Sequence, residues 1–192
     1  MSDQEFRPKS EEIPGQKLPY PAKQSEMVPQ PDSDLSNYKP AGKLEDKVAL
    51  ITGGDSGIGR AVAIAFALEG AEVAIVYNEN DDDANTTRQM VEKRGGRCLV
   101  IRADVRDPQA CRDAVARTVA EYGRLNILVN NAAYQMAQEH FEDITEEQFR
   151  RTFETNIFGF FTWPRWRSRT SGRAIPSLTP AALLGWWVIN DY

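Results

Sequence analysis

Histidine and cysteine are scarce in this chain, with one His and two Cys among 192 residues. The single His140 has no Cys or His partner at metal-ligand spacing, so no metal site is expected and His140 reads as a loop residue. Cys98 and Cys111 cannot build a disulfide scaffold; their small number fits a reduced, cytoplasmic protein, and their apolar settings fit buried packing. No apolar run approaches the roughly 18 residues that a membrane span needs. The opening "MSDQEFRPKSEEIPGQ" has no apolar stretch of the kind a secretory signal carries. A net charge of -5 lacks the basic excess of a nucleic-acid binder. Neither a membrane nor a nucleic acid is therefore expected as a partner. What is present is an apolar content of 41%, enough for one packed domain at this length.

Composition divides the chain into three. Residues 1–45 are rich in Pro, Ser, Gln and charge, and bury too little apolar surface to offset their ordering entropy. They are expected to form an extended or disordered arm, or alternatively an arm that wraps another subunit through Tyr20, Met27 and Tyr38. Residues 46–161 alternate short apolar runs with helical periodicity. "KVALIT", "EVAIVY", "RCLVIRADV" and "NILVNNAA" fit buried strands. "GIGRAVAIAFALEG" and "DDANTTRQMVEKRGG" between them fit helices that stop at glycine. "DPQACRDAVARTVAEYG" opens with Asp107 as N-cap and Pro108 at the first helical position. "TEEQFRRTFETNIFGFF" opens with Thr145 and carries Glu and Gln in its first turn. Four β-α units of this kind predict an α/β fold, a Rossmann-like parallel sheet with helices on both faces. Residues 162–192 break the pattern.

"TGGDSGIGR", from Thr52 to Arg60, lies between the first strand and the first helix. Gly53 permits a tight turn off the strand. Gly57 lets the backbone approach a pyrophosphate without a Cβ in the way. Gly59 allows close packing of helix on strand. The free N–H groups and the dipole at the helix start favour phosphate. A glycine-rich turn without a ligand is the plainer alternative, but the position on a strand-loop-helix junction points to a dinucleotide.

"TGGDSGIG" resembles the TGxxxGxG motif of the short-chain dehydrogenase/reductase family. "LVNNAA" resembles that family's NNAG motif, with Ala133 in place of its Gly. "ADV" is similar to the segment that holds the adenine, with Asp104 as contact, and "TNIFG" resembles N-x-x-G. The resemblance covers about Lys43 to Phe161 and is closest to the subgroup with a Pro-rich N-terminal extension, whose members are often described as glucose or general stress dehydrogenases. It implies a cofactor-binding set of Gly53, Ser56, Gly57, Ile58, Gly59, Asn78, Asp104, Val105, Asn131 and Ala132. It also implies hydride transfer between a nicotinamide and an alcohol or carbonyl substrate, in a homo-oligomer for intact relatives. The cofactor is NAD or NADP. "YNENDDD" places Asn78 and Glu79 after the second strand with no Lys or Arg beside them, which favours NAD. Tyr134 and Gln135 follow the fourth strand, where such sheets bind substrates, and so are candidates for a substrate pocket as well as for plain packing.

Members of the family use a Tyr as general acid/base, a Lys four residues later to lower its pKa, a Ser and an Asn. Free Tyr, with a pKa near ~10, is a poor base without such a Lys. Of the four, the resemblance carries over only Asn156. No Tyr-x-x-x-Lys stands in these residues and no Ser lies on a recognisable fifth strand. All four Trp follow Phe161, no acidic residue stands between Glu154 and Asp191, and four Arg crowd into residues 165–173. Back-translation from Thr162, read from the third codon base, permits the run MAKVALPHLGAGDSIINTGSVTG, which resembles the family's continuation through its catalytic Ser. A one-base frameshift after Phe161 is therefore expected, with a naturally diverged tail as the alternative. The expected consequences are weak or absent turnover and an open apolar edge on the fourth strand, which "AALLGWWVI" is available to cover or to burden further. The alternative function is a non-catalytic dinucleotide-binding or interaction module.

Overall fold

The computed structural model describes residues 14–16, 18, 22–31, 33, 35–163, 179–181 and 186–188. Its strands are β1 (Val48–Thr52), β2 (Glu72–Tyr77), β3 (Cys98–Arg102), β4 (Ile127–Val129), β5 (Thr179–Ala181) and β6 (Trp186–Val188). Its helices are α1 (Gly57–Leu68), α2 (Asp81–Lys93), α3 (Pro108–Tyr122) and α4 (Glu146–Phe153). The strand order is β3-β2-β1-β4-β6-β5. β1 to β4 pair in parallel, with Leu50 beside Ala74 on one side and Leu128 on the other. The fold is thus the expected Rossmann-like α/β sheet. The sequence reading recognised four strands and left the edge of β4 either open or covered by "AALLGWWVI"; the second holds, since Val188 of that segment pairs antiparallel with Val129 and β5 pairs with β6, which brings the sheet to six strands.

Alternation along the strands makes two cores. Leu50, Ala74, Val76, Ile101 and Leu128 pack with Cys111, Ala114 and Val115 of α3. Ala49, Ile51, Val73, Ile75 and Val129 pack with Ala63 and Ile64 of α1 and Val91 of α2. Both faces of each central strand are covered, which is why these strands read as unbroken apolar runs rather than as alternating ones. Burial disfavours the thiolate and pushes both thiols, of Cys98 and Cys111, up to about 12.

Local chemistry sets the helix ends. The Asp107 side chain accepts the Gln109 N–H, Pro108 occupies the first turn of α3, and Gly123 closes it in the left-handed region at φ 78°. Thr145 caps α4 by accepting the Gln148 N–H. The helix expected to run straight from Thr145 to Phe161 is interrupted by a π-turn over Glu154–Phe158, and helical backbone resumes over 159–163. Trp163 ends that stretch 1% exposed, against the α3 side of the sheet.

The arm has a definite course where it is described. A single 3-10 turn spans Gln24–Glu26. The Gln24 N–H donates to Asp83 Oδ2 of α2 at 3.2 Å, and the Asn80 side chain donates to the Ala22 carbonyl at 3.4 Å. Further on, Glu69 at the end of α1 accepts the Tyr38 hydroxyl and the N–H groups of Ala41 and Lys43. Of the three anchors read for a subunit wrap, Tyr20 lies outside the described residues, Met27 ends the 3-10 turn, and Tyr38 is tied to this chain's own α1.

Candidate functional site

Chain order reverses between β3 and β4, so loops from β1 and β4 diverge at the carboxyl ends of neighbouring strands. An open cleft of about 300 Å³ lies there. Gly53, Ser56, Asn78, Asp104, Val105, Asn131 and Ala132, all expected as cofactor contacts, line it together, with Tyr134 beside them. Gly57, Ile58 and Gly59 form the first turn of α1, with Ile58 exposed and Gly59 buried.

The three glycines do different work. A Cβ on Gly59 would stand 1.9 Å from the Gly53 carbonyl oxygen, so that position must be bare for α1 to reach the turn. A Cβ on Gly53 would meet the Ala132 backbone at 2.9 Å, and its φ is +62°. Gly57 has nothing within 4 Å of its Cβ position and φ +52°. Its requirement is conformational, and only its Cβ side is empty. These features fit a phosphate group at the start of α1.

Thr52 and Asn131 fix the two loops to each other, a clamp that sequence reading passed over. The Thr52 hydroxyl accepts the N–H groups of Asn131 and Ala132 at 2.9 and 3.0 Å. The Asn131 carboxamide donates back to the Thr52 and Gly53 carbonyls at 3.0 and 2.9 Å. A second support is the buried Arg60. Its guanidinium donates to the Asp55 carbonyl at 2.7 Å and to the Asp83 carboxylate at 3.0 Å, while its Nε donates to the Thr87 hydroxyl at 2.9 Å. Arg60, four residues past Ser56 in a motif quoted for its glycines, gave no separate signal.

The charges at the rim are mostly paired. Burial alone would raise the Asp104 carboxyl, but hydrogen bonds from the Arg106 side chain and N–H outweigh it and hold Asp104 below its usual value. Burial pushes the Asp55 carboxyl up. Glu79 lines the cleft with Asn78. No Lys or Arg follows β2 in sequence, yet Arg102 reaches that end from β3, donating to the Asn78 carbonyl at 3.1 Å and lying 3.7 Å from Asp81. Adjacency of parallel strands placed it there, which sequence distance hides.

Asn156 reaches the site through Tyr134. Its Oδ1 accepts the Tyr134 N–H at 2.8 Å and its Nδ2 donates to the Tyr134 carbonyl at 2.9 Å. The π-turn supplies the backbone geometry for this, a local widening common at functional sites. Tyr134 itself is buried, with the Arg151 guanidinium 4.4 Å over its ring. Gln135 is exposed and His140 precedes an exposed 3-10 turn at Phe141–Asp143.

A Rossmann-like sheet, a bare-backbone turn at its switch point and a clamped β4 loop place the chain among the Rossmann-like α/β proteins. The chain belongs to the short chain dehydrogenase family, whose model matches residues 47–172. General stress protein 39 of Bacillus subtilis is 47% identical over 173 residues, covering 90% of this chain and 58% of that protein. Glucose and ribitol dehydrogenase of Daucus carota is 44% identical over 151 residues, covering 76% of this chain and 52% of the relative. Among solved structures, a short chain dehydrogenase from Burkholderia cenocepacia in complex with NADP is 37% identical, with a TM-score of 0.63 over 66% of this chain and 51% of that one. A blue fluorescent protein from a metagenomic library in complex with NADPH is 32% identical, with a TM-score of 0.59 over 67% of this chain and 52% of that one. The chain spans about half the length of the curated relatives it matches.

Proposed function

We propose that this chain holds NAD or NADP, with NAD favoured, as the nucleotide half of a short-chain oxidoreductase, and that its 192 residues alone turn over weakly or not at all. The observation that carries the binding is the convergence of the Gly53–Gly59 turn, Asp104 and Asn131 on one cleft. The first turn of α1 presents N–H groups and a positive dipole end to the pyrophosphate. Asp104 and Val105 hold the adenine, and Asn78 the adenosine ribose. When bound, the nicotinamide supplies a hydride acceptor or donor for an alcohol or carbonyl substrate.

NAD is favoured because Glu79 follows β2 beside Asn78 and lines the cleft, where a further phosphate on the adenosine ribose would meet like charge. Arg102, the cation nearest Asn78, is engaged with the Asn78 carbonyl and Asp81. Turnover needs a base that these residues do not supply: none of the six Tyr has a Lys four residues on. Asn156 has both ends of its carboxamide on Tyr134 and acts here as a positioning residue. A shifted reading frame from Thr162 is the reading we favour for the missing Ser, since the neighbouring frame permits a family-like run through it.

Calorimetric titration with NAD and with NADP tests the binding. Saturable binding with NAD tighter is the expected result, and no heat with either removes the proposal. Nicotinamide absorbance followed with alcohol substrates is expected to stay flat. The coding DNA checks the tail: a neighbouring frame with no family-like continuation after Phe161 removes the shift.

A further inference from the structure

Helix α1 lacks the cap its own sequence should give it. Ser56 is the N-cap residue, yet its side chain makes no capping hydrogen bond; its hydroxyl turns to Asp55 Oδ2 at 3.4 Å. A Ser56 cap would take the N–H of Ile58 or Gly59; the Gly57 N–H is satisfied separately. It donates to the side-chain oxygen of Gln24, 33 residues earlier, at 2.6 Å. Gln24 is 4% exposed. Its own N–H is held by Asp83 Oδ2, and its Nε2 faces the Ser33 hydroxyl at 3.4 Å. Asp83 is in turn held by Arg60, whose other bonds run to the Asp55 carbonyl in the glycine turn. Gln24, Asp83, Arg60 and Asp55 therefore make one buried chain of hydrogen bonds that closes on the two ends of the same turn.

We infer that Gln24 is a positioning residue for the phosphate-binding turn, so that the N-terminal arm is a working part of the nucleotide site. Its carboxamide oxygen takes the Gly57 N–H, which stands in a left-handed conformation with no neighbour on its Cβ side. With that N–H engaged by the arm, the turn is held in one conformation before a ligand arrives, and the next N–H groups of α1 are left for phosphate. An uncapped Gly, the most permissive residue in the chain, would instead sample several conformations and charge that ordering cost to binding. Ser33 and Asp83 matter because they hold the Gln24 side chain and backbone in place. The inference rests on the proposed dinucleotide site, but the capping bond is testable without it.

The decisive variants are Gln24→Met, which keeps length and packing but removes the acceptor, and Gln24→Glu, which keeps an acceptor. Tyr38→Phe is the control, since it loosens the same arm at Glu69 and leaves Gln24 intact. Two measurements are made on the full chain: amide hydrogen exchange at Gly57 without ligand, and calorimetric affinity for NAD. Gln24→Met is expected to speed Gly57 exchange about tenfold and to weaken NAD about fivefold, the size of one hydrogen bond lost. Gln24→Glu is expected to restore Gly57 protection, and Tyr38→Phe to leave both readings near those of the unaltered chain. Unaltered Gly57 exchange in Gln24→Met overturns the inference. So does an equal loss of NAD affinity in Tyr38→Phe, which would mark a general effect of a loosened arm. If the unaltered chain binds no NAD, the proposed function fails, and Gly57 exchange alone decides the cap.

Discussion

Asn130 follows β4 at 1% exposure, and neither its side-chain oxygen nor its nitrogen has a hydrogen-bond partner among the described residues. Its neighbour Asn131 spends its side-chain nitrogen on the clamp to Thr52 and Gly53. Two adjacent asparagines thus differ: one holds the site, and the other carries a buried amide that is unpaired among the described residues. An unpaired buried amide costs about 1–3 kcal/mol. Asn130→Leu, close in shape and free of polar atoms, is expected to raise unfolding stability by about 1 kcal/mol or more, read from the urea midpoint at unchanged slope. A lower midpoint would show that the Asn130 carboxamide has a partner after all. The same residue scale shows what sequence could carry. Gly53 and Gly59 were legible because their duties are local, a turn and a close approach within one motif. Asn131 was legible as a site residue, though its bonds to β1 were not, since they join residues about 80 apart.

At the scale of elements, the arm and the end of α1 form a unit through Glu69. Hydrogen bonds from the Tyr38 hydroxyl, then from the Lys43 N–H, hold the Glu69 carboxyl down to about 2, with the Ala41 N–H adding to them against the opposing effect of burial. The folded value lies below the ordinary value of 4.5. The anchor's contribution is therefore present above pH 4.5 and is lost as pH falls toward 2. Protection factors across residues 35–43, with the intrinsic pH dependence of exchange divided out, are expected to fall over that window ahead of those of the β1 amides, and Glu69→Gln is expected to flatten their pH dependence. Exchange that rises only with global unfolding would count against the anchor. Composition had suggested an extended or disordered arm here, or one that wraps another subunit. The bonds that fix it end on Gly57, Asp83 and Glu69, whose positions depend on the completed sheet. The π-turn at Glu154–Phe158 was hidden for a related reason: "ETNIF" has ordinary helical periodicity, and the bulge is selected by Asn156 reaching Tyr134. Trp163 looked like the start of a foreign tail by composition, yet its ring fills the α3 side of the core, because burial responds to shape and apolar area regardless of which frame encodes them.

For the molecule as a whole, the outer side of α4 and the helical stretch after it sets the behaviour in solution. Phe149 is 57% exposed, Phe153 42%, Ile157 55% and Phe161 63%. They recur at four-residue intervals along nearly continuous helical backbone, and the Phe149 and Phe153 rings already touch, with centroids 4.7 Å apart. Scattered apolar residues need no explanation, but an apolar stripe of three Phe and one Ile on a chain of net charge -5 is expected to outweigh weak charge repulsion at ordinary ionic strength. Concentration-dependent light scattering is therefore expected for this chain. Phe149→Ser together with Phe161→Ser leaves the net charge unchanged and shortens the stripe at both ends, so scattering should fall. Phe141→Ser removes a residue still more exposed, at 84%, but set apart on a 3-10 turn, and should change scattering little. Equal effects of the two changes would assign the association to total exposed apolar area. A larger effect of the paired change assigns it to the helical face, and because neither Phe149 nor Phe161 lines the nucleotide cleft, NAD titration of the paired variant should match that of the unaltered chain.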